Sequence, residues 1–278
     1  MNNIYIYIYY MMTSDEPTIF HFYNRFHLGD NIYNLKFFRY IAPILREKKY
    51  IINYYYNTEW RYNTEVTLRS YIDPTVLHLK PLHEKPEHSI ELWMGNVCDG
   101  IYNWNLEAYF NAFYKKILCH LNIVNQSVST SIWIDEPFIS TVYDSLDAKF
   151  KDVDILILNS IGHSGQFNGN TQLPDVIRYL NDRFNIVTLD IVDENIKSLQ
   201  NNSIQEICAI CTHAKYVITT CSATQVACYN KAAKEHVKKW FYITSGCIYK
   251  MTSIDVTYLV KDLTPIKTYF DGVLALKN

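Results

Sequence analysis

Apolar runs alternate with amphipathic stretches along most of the chain. Residues 18–23 form an apolar run, 32–48 carry apolar positions at helical spacing, and 50–56 return to a strand-like run. Residues 76–79 and 90–94 read as later strands. In 106–121, Leu106, Phe110, Phe113, Ile117, Leu118 and Leu121 share one helical face, with Asn105 placed to cap it. Polar stretches at 125–131 and 144–152 interrupt the pattern, and a new cycle opens at 154–159 with a continuous apolar run typical of a buried parallel strand. Pro174 opens a helix reaching about Asn181, and 185–190 is the next strand. Ser203 and Glu206 form a capping box ahead of a helix to Ala214. Residues 216–219 are a strand, 220–224 a turn into a short helix over 225–231, and 240–243 a further strand. The tail, 253–278, has helix-like spacing and is a candidate to cross back to the first half.

This order predicts the α/β class: two doubly wound, Rossmann-like domains facing a cleft, the first over 1–148 and the second over 149–278. In such sheets ligands bind beyond the carboxyl ends of strands. That rule singles out the loops 25–31, 160–166, 190–194 and 219–225.

Composition narrows the picture. With 278 residues, 49% hydrophobic and 19% charged, the chain can build a packed core and is not disordered. A net charge of -2 gives no global basic field for nucleic acid. The alternating run at 4–10 is too short to span a bilayer and lacks a basic flank, so neither a signal peptide nor an integral membrane segment is expected. Seven scattered cysteines with no secretion signal point to reduced thiols in the cytoplasm. The 24 tyrosines fit a coding bias more readily than a set of carbohydrate platforms.

The strongest local signal is Phe26-His27-Leu28-Gly29-Asp30-Asn31, set between a strand and a helix. A carboxylate there can take a proton from a bound hydroxyl, and it can equally cap the helix. Arg25, His27 and Asn31 lie in the same loop and are candidates to contact a substrate, although a loop histidine is more often simply solvated.

Thr220, Ser222, Ala223, Thr224 and Gln225 form a small-residue turn into a helix, where free backbone N–H groups can receive an anion such as a diphosphate. Gly162, His163, Ser164 and Gln166 occupy the loop after the first strand of the second half. The glycines allow close approach, but the loop is neither a P-loop nor a full dinucleotide fingerprint. An acid after the next strand, among Asp190, Asp193 and Glu194, is a candidate to hold a ribose, with Asp193 the preferred one. Asp152-Val153-Asp154 has the D-x-D spacing of metal-nucleotide sites but precedes its strand, so no metal site is read there. Cys208 and Cys211 have redox-like spacing inside a helix, where packing is the better reading.

Taken together, these residues resemble the GT-B glycosyltransferases of the heptosyltransferase type, glycosyltransferase family 9. The resemblance lies in the Gly29-Asp30 turn, in Leu173-Pro174 at the place of a Trp-Pro pair, and in 203–214, 216–218 and 219–224. It covers most of the chain loosely. Departures are Cys221 and Thr219 where the family has Asp and Gly, Val226 near its histidine, and Asn170 and Thr171 where its lysine would fall.

The resemblance implies an inverting, metal-independent transfer with Asp30 as base. The nucleotide-sugar binds the second domain as co-substrate, with no separate cofactor, and a glycan or other hydroxyl acceptor binds the first. A nucleotide-sugar epimerase or hydrolase, and a non-catalytic binding protein with the same fold, are the alternatives. Sugar, nucleotide, acceptor and oligomeric state are not written in the sequence.

Overall fold

The structure is a computed structural model that describes residues 16–59, 64–93, 95, 105–123, 127–160, 169–220, 222–244 and 250–276. The alternating run at 4–10, the loop bearing Gly162, His163, Ser164 and Gln166, and Cys221 lie outside the described residues.

The first domain is a parallel sheet of β1 (Thr18–Asn24), β2 (Tyr50–Tyr56), β3 (Leu77–Pro81) and β4 (Ile90–Glu91) in the order β3-β2-β1-β4. Its helices are α1 (Leu28–Tyr40), α2 (Ala42–Glu47), α3 (Glu65–Arg69) and α4 (Leu106–His120). Asn105 caps α4 by accepting from the Ala108 N–H, as its position suggests.

The helix expected from residue 32 begins four residues earlier, at Leu28, and breaks at Ile41 because Pro43 opens a second helix rather than continuing the first. Helix α1 is buried nearly all round. Gly29, Asn31, Asn34 and Lys36 are covered along with Ile32, Leu35, Phe37 and Phe38, since one side lies on the first sheet and the other on the second domain.

The second domain is a parallel sheet of β5 (Ile155–Leu158), β6 (Ile186–Thr188), β7 (Tyr216–Thr220), β8 (Lys239–Ile243) and β9 (Val256–Leu259). The order is β6-β5-β7-β8-β9. Strand β9 falls in the tail that the sequence pattern read as helical. Helices α5 (Ile139–Ser145), α6 (Leu173–Asn181), α7 (Ile204–His213), α8 (Ala223–Ala227), α9 (Lys231–His236) and α10 (Thr264–Ala275) complete it. The capping box at the start of α7 forms as expected, with the Glu206 carboxylate accepting from the Ser203 N–H and the Ser203 hydroxyl accepting from the Glu206 N–H.

Alternation along the strands divides the core. Ile155, Ile157, Ile218, Phe241 and Ile243 face outward and are covered by Ile177 and Leu180 of α6 and by Ile266 and Phe270 of α10. The last helix thus packs on its own sheet rather than crossing to the first domain. Leu156, Leu158, Val187, Val217 and Trp240 face inward and belong to one continuous apolar cluster with Phe22, Ile32, Phe37 and Phe110 of the first domain. Helix α5, which precedes residue 148, packs on α7 of the second domain. Among the described residues no helix is long and apolar enough to cross a membrane.

Strand order reverses between β1 and β4 and again between β5 and β7. At those points neighbouring loops diverge and leave a crevice.

Candidate active site

The turn after β1 is held by buried amides. Asn24 Oδ1 accepts from the Phe26 N–H at 2.8 Å, and its Nδ2 donates to Leu92 O at 2.7 Å. Asn31 Nδ2 donates to His27 O at 3.0 Å and to Phe26 O at 3.2 Å. Tyr54 donates its hydroxyl proton to Asn31 Oδ1 at 2.9 Å and accepts from Asn34 Nδ2 at 2.9 Å, while Asn34 also donates to Leu92 O. This lattice fixes the chain so that helix α1 starts at Leu28, with extended His27 before it.

Asp30 is therefore the third residue of the helix, not its cap, and its carboxylate keeps the favourable field of the helix N-terminus. His27 Nδ1 lies 3.7 Å from Asp30 Oδ2, and the Asp30 side chain is 19% exposed.

The turn after β7 is held by hydroxyls. Thr220 is fully buried, and its Oγ1 reaches Ser160 O at 2.6 Å and Leu158 O at 3.1 Å, tying the exit of β7 to that of β5. The chain then leaves through Ser222 into α8, with no side-chain cap; Ser222 Oγ and Thr224 Oγ1 are 2.7 Å apart. Among the described residues, no side chain caps the amides that open α8.

The two helices run side by side with their N-termini at the same end. A Cβ on Gly29 would lie 3.4 Å from Ala223 Cα, so the first turns of α1 and α8 are in contact. Seven residues on, Lys36 Nζ donates to Tyr229 O at 2.8 Å and to Ala227 O at 3.3 Å and pairs with Glu136 Oε1 at 2.9 Å. The side chains of that pair are 3% and 1% exposed. An ammonium group from the first domain thereby seals the carboxyl end of α8 in the second.

Between the domains lies a cavity of about 970 Å³. Of the residues singled out from the sequence, it is lined by His27 and Asp30 from the first domain and by Ser222, Ala223, Thr224 and Gln225 from the second. Others fall elsewhere. Arg25 pairs with Glu91 at 2.9 Å, Asn31 is consumed in the amide lattice, and Thr220 is the strap between strands. Asp193 Oδ1 accepts from the Asn195 N–H and does not line the cavity; Asp190 does. Asp190 is positioned by a two-way clamp in which Asn159 Nδ2 donates to its carbonyl and its N–H donates to Asn159 Oδ1. Partial burial pushes its carboxyl up from the ordinary aspartate range.

Sequence reasoning missed the lining supplied by Phe110, Trp240 and Tyr258, and it missed Lys36 and Glu136. It also missed Glu107, a half-buried acid beside the cavity-lining Leu106. Glu107 accepts from Trp133 Nε1 at 2.9 Å, from the Thr252 N–H at 3.0 Å and from the Ser253 N–H at 3.1 Å. Desolvation opposes its charge, but the donors, Ser253 and Trp133 first, prevail and hold its carboxyl below the usual range.

The other motifs are structural. Asp154 pairs with Lys215 at 2.7 Å at the foot of β5, away from the strand exits. Cys208 and Cys211 are buried in α7, and burial pushes the Cys208 thiol up, making it unreactive. Among the described residues no group of three or more His, Cys, Asp or Glu side chains is disposed around a metal-sized space.

No family model and no curated protein matches the chain. Among solved structures, it is similar to the E. coli heptosyltransferase WaaC determined with ADP. The TM-score is 0.53 with 7% sequence identity over 92% of this chain and 99% of that one. A glycosyl transferase of family 9 from Veillonella parvula gives a TM-score of 0.48 with 11% identity, covering 94% of this chain and 90% of that one. The fold is thus the two-domain GT-B arrangement of the heptosyltransferases, carried by a very different sequence.

Proposed function

We propose that the protein is a glycosyltransferase that moves a sugar from a nucleotide-sugar to a hydroxyl acceptor, with inversion and without a metal. One observation carries this reading: Asp30 from the first domain and the 222–225 turn from the second line the same cavity, with Gly29 against Ala223. The similar WaaC structure holds ADP. By analogy, a nucleoside diphosphate is assigned to the second domain here.

In this reading the acceptor oxygen bonds to the anomeric carbon while Asp30 takes its proton. The bond from that carbon to the diphosphate oxygen breaks, and the electron pair leaves with the diphosphate. The amides that open α8 and the hydroxyls of Ser222 and Thr224 receive it, so the departing charge meets preorganised donors. Asp190, at the exit of β6, holds the ribose in place of Asp193. His27 orients Asp30. Gly162, His163, Ser164 and Gln166 are assigned to the donor on sequence grounds. The cytoplasm, which supplies nucleotide-sugars, is the assigned compartment.

The test is to incubate the protein with a panel of nucleotide-sugars and hydroxyl acceptors, in the presence of a chelator, and to follow release of nucleoside diphosphate. Release that requires an acceptor is expected. Release without one would make the protein a hydrolase, and nucleotide-dependent thermal stabilisation with no release would make it a binding protein. Asp30→Asn should lower kcat by about 10²–10⁴-fold while leaving stabilisation by nucleoside diphosphate unchanged. A fully active variant would remove Asp30 from the mechanism.

A further inference from the structure

Beyond helix α8 the cavity changes character. Its charged lining residues sit after β1 (His27, Asp30), after β2 (Glu59) and after β6 (Asp190). At the opposite side the walls are Leu106 and Phe110 of α4, Trp240 of β8, Val256 of β9, and Met251 and Ile254 from the segment between those strands. Trp240 stands beside Val256, and Tyr242 beside Tyr258, in adjacent parallel strands, so all four share one face of the sheet. The Tyr242 and Tyr258 rings are 5.6 Å apart at 65°. The first domain supplies one wall of this chamber and the second domain the other.

The polar groups nearby are largely committed. The Tyr258 hydroxyl accepts from the Met251 N–H, and the Glu107 carboxylate beside Leu106 turns into residues 252–253 and Trp133. Trp240 is 2% exposed and its Nε1 has no accessible surface, so it closes the chamber with ring carbon.

These walls discriminate between acceptor chemistries. A sugar seated here would bury several hydroxyls against carbon, each costing about 1–3 kcal/mol. A flat apolar ring gains roughly 25 cal/mol for each Å² it removes from water and adds ring–ring contact. The donor nucleoside is the other contender. Asp190 assigns the ribose to the β6 side of the β5–β7 crevice, which leaves the β8–β9 side for the group attacked from Asp30.

We propose that this chamber binds an apolar ring system carrying the acceptor hydroxyl, packed against the Trp240, Val256 and Ile254 side. The acceptor class is then a phenolic or ring-alcohol compound rather than a polyhydroxylated glycan. This rests on the transferase reading and sharpens its acceptor side.

The test uses the full chain and 4-methylumbelliferone, a fluorescent phenol with a ring carbonyl. Titration should saturate, and nucleoside diphosphate should not displace the probe. Ile254→Glu, which puts a charge in the wall, should weaken binding about tenfold or more. Trp240→Leu, which removes the ring and leaves an aliphatic wall, should weaken it a few-fold. Both variants should keep wild-type thermal stabilisation by nucleoside diphosphate, showing that they fold.

Failure of the probe to bind, equal binding to wild type and both variants, or displacement by nucleoside diphosphate would overturn the chamber assignment. If the same protein still released nucleoside diphosphate with sugar acceptors, the transferase reading would survive that loss. Conversely, saturable binding lost in both variants, with no release of nucleoside diphosphate from any donor with any acceptor, would overturn the transferase reading and leave the chamber's ligand class standing.

Discussion

The turns after β1 and after β7 occupy the same place in their respective domains, and they are built from opposite materials. The first is fixed by buried carboxamides and a tyrosine, Asn24, Asn31, Asn34 and Tyr54, and opens a helix of 13 residues. The second is fixed by the Thr220 hydroxyl and opens a helix of 5 residues. The first turn carries its own anion, Asp30, within the first helical turn. The second carries none and presents hydroxyls and amides. Both helix ends have positive character. One is neutralised from within the chain and the other is left to an external charge. A helix start that carries a carboxylate and one that offers only donors follow from the same local fold by changing one residue class.

The short helix is the weaker of the two, since five residues cannot sustain a helix alone. Its far end is secured by the first domain through Lys36. Replacing Lys36 by Met should therefore break the comparison most severely. It strands the Glu136 carboxylate at 1% exposure and removes a charged donor from the Ala227 and Tyr229 carbonyls. Loss of one partner of a buried pair costs about 3–5 kcal/mol. The drop should be seen in urea midpoints, and Lys36→Met with Glu136→Leu should recover much of it. If the single variant loses under 1 kcal/mol, α8 does not depend on the pair.

The corresponding test on the first turn is Tyr54→Phe. It removes a hydroxyl that donates to Asn31 and accepts from Asn34 in a fully buried site. The expected loss is about 1–3 kcal/mol in urea unfolding. Because Asn31 holds the carbonyls of Phe26 and His27, the starting point of α1 loosens with it. Turnover should fall more than nucleotide binding does. Equal losses in both would mean that the lattice supports the fold without aiming Asp30.

These two anchors differ in how far the sequence revealed them. Asp30 and the 222–225 turn were legible because strand, small-residue turn and helix follow one another in both halves, and the doubly wound rule then places the turns at a crevice. The true start of α1 was not, because Gly29 and Asp30 are poor helix formers and their helical state is imposed by Asn31 and Tyr54 from the tertiary structure. Lys36 was invisible because a lysine at helical spacing reads as solvated, and only its contacts with Glu136 and Tyr229 reveal burial. Strand β9 was missed because residues 256–259 are short, lie at the sheet edge and are mostly half-buried, which leaves little alternation to read. With β9 unrecognised, nothing in the sequence could pair Val256 with Trp240 or disclose the apolar chamber.

The smallest effect tests the contact between the two turns. Gly29 lies in the first turn of α1, and a Cβ there would sit 3.4 Å from Ala223 Cα, 3.6 Å from Ala223 Cβ and 3.6 Å from Val226 Cγ2. Those are ordinary contact distances, so alanine fits without moving α8, and it gains up to about 1 kcal/mol of helix propensity. Gly29→Ala should leave the urea midpoint unchanged or slightly raised, with nucleotide stabilisation intact. Gly29→Val adds two methyl groups where the neighbouring helix already touches, and overpacking of that kind costs about 1–3 kcal/mol. The pair of variants brackets the spacing between the carboxylate-bearing helix α1 and helix α8. A clear loss on the alanine change would mean that the approach of the helices is tighter than contact, and that glycine is required there for proximity rather than tolerated.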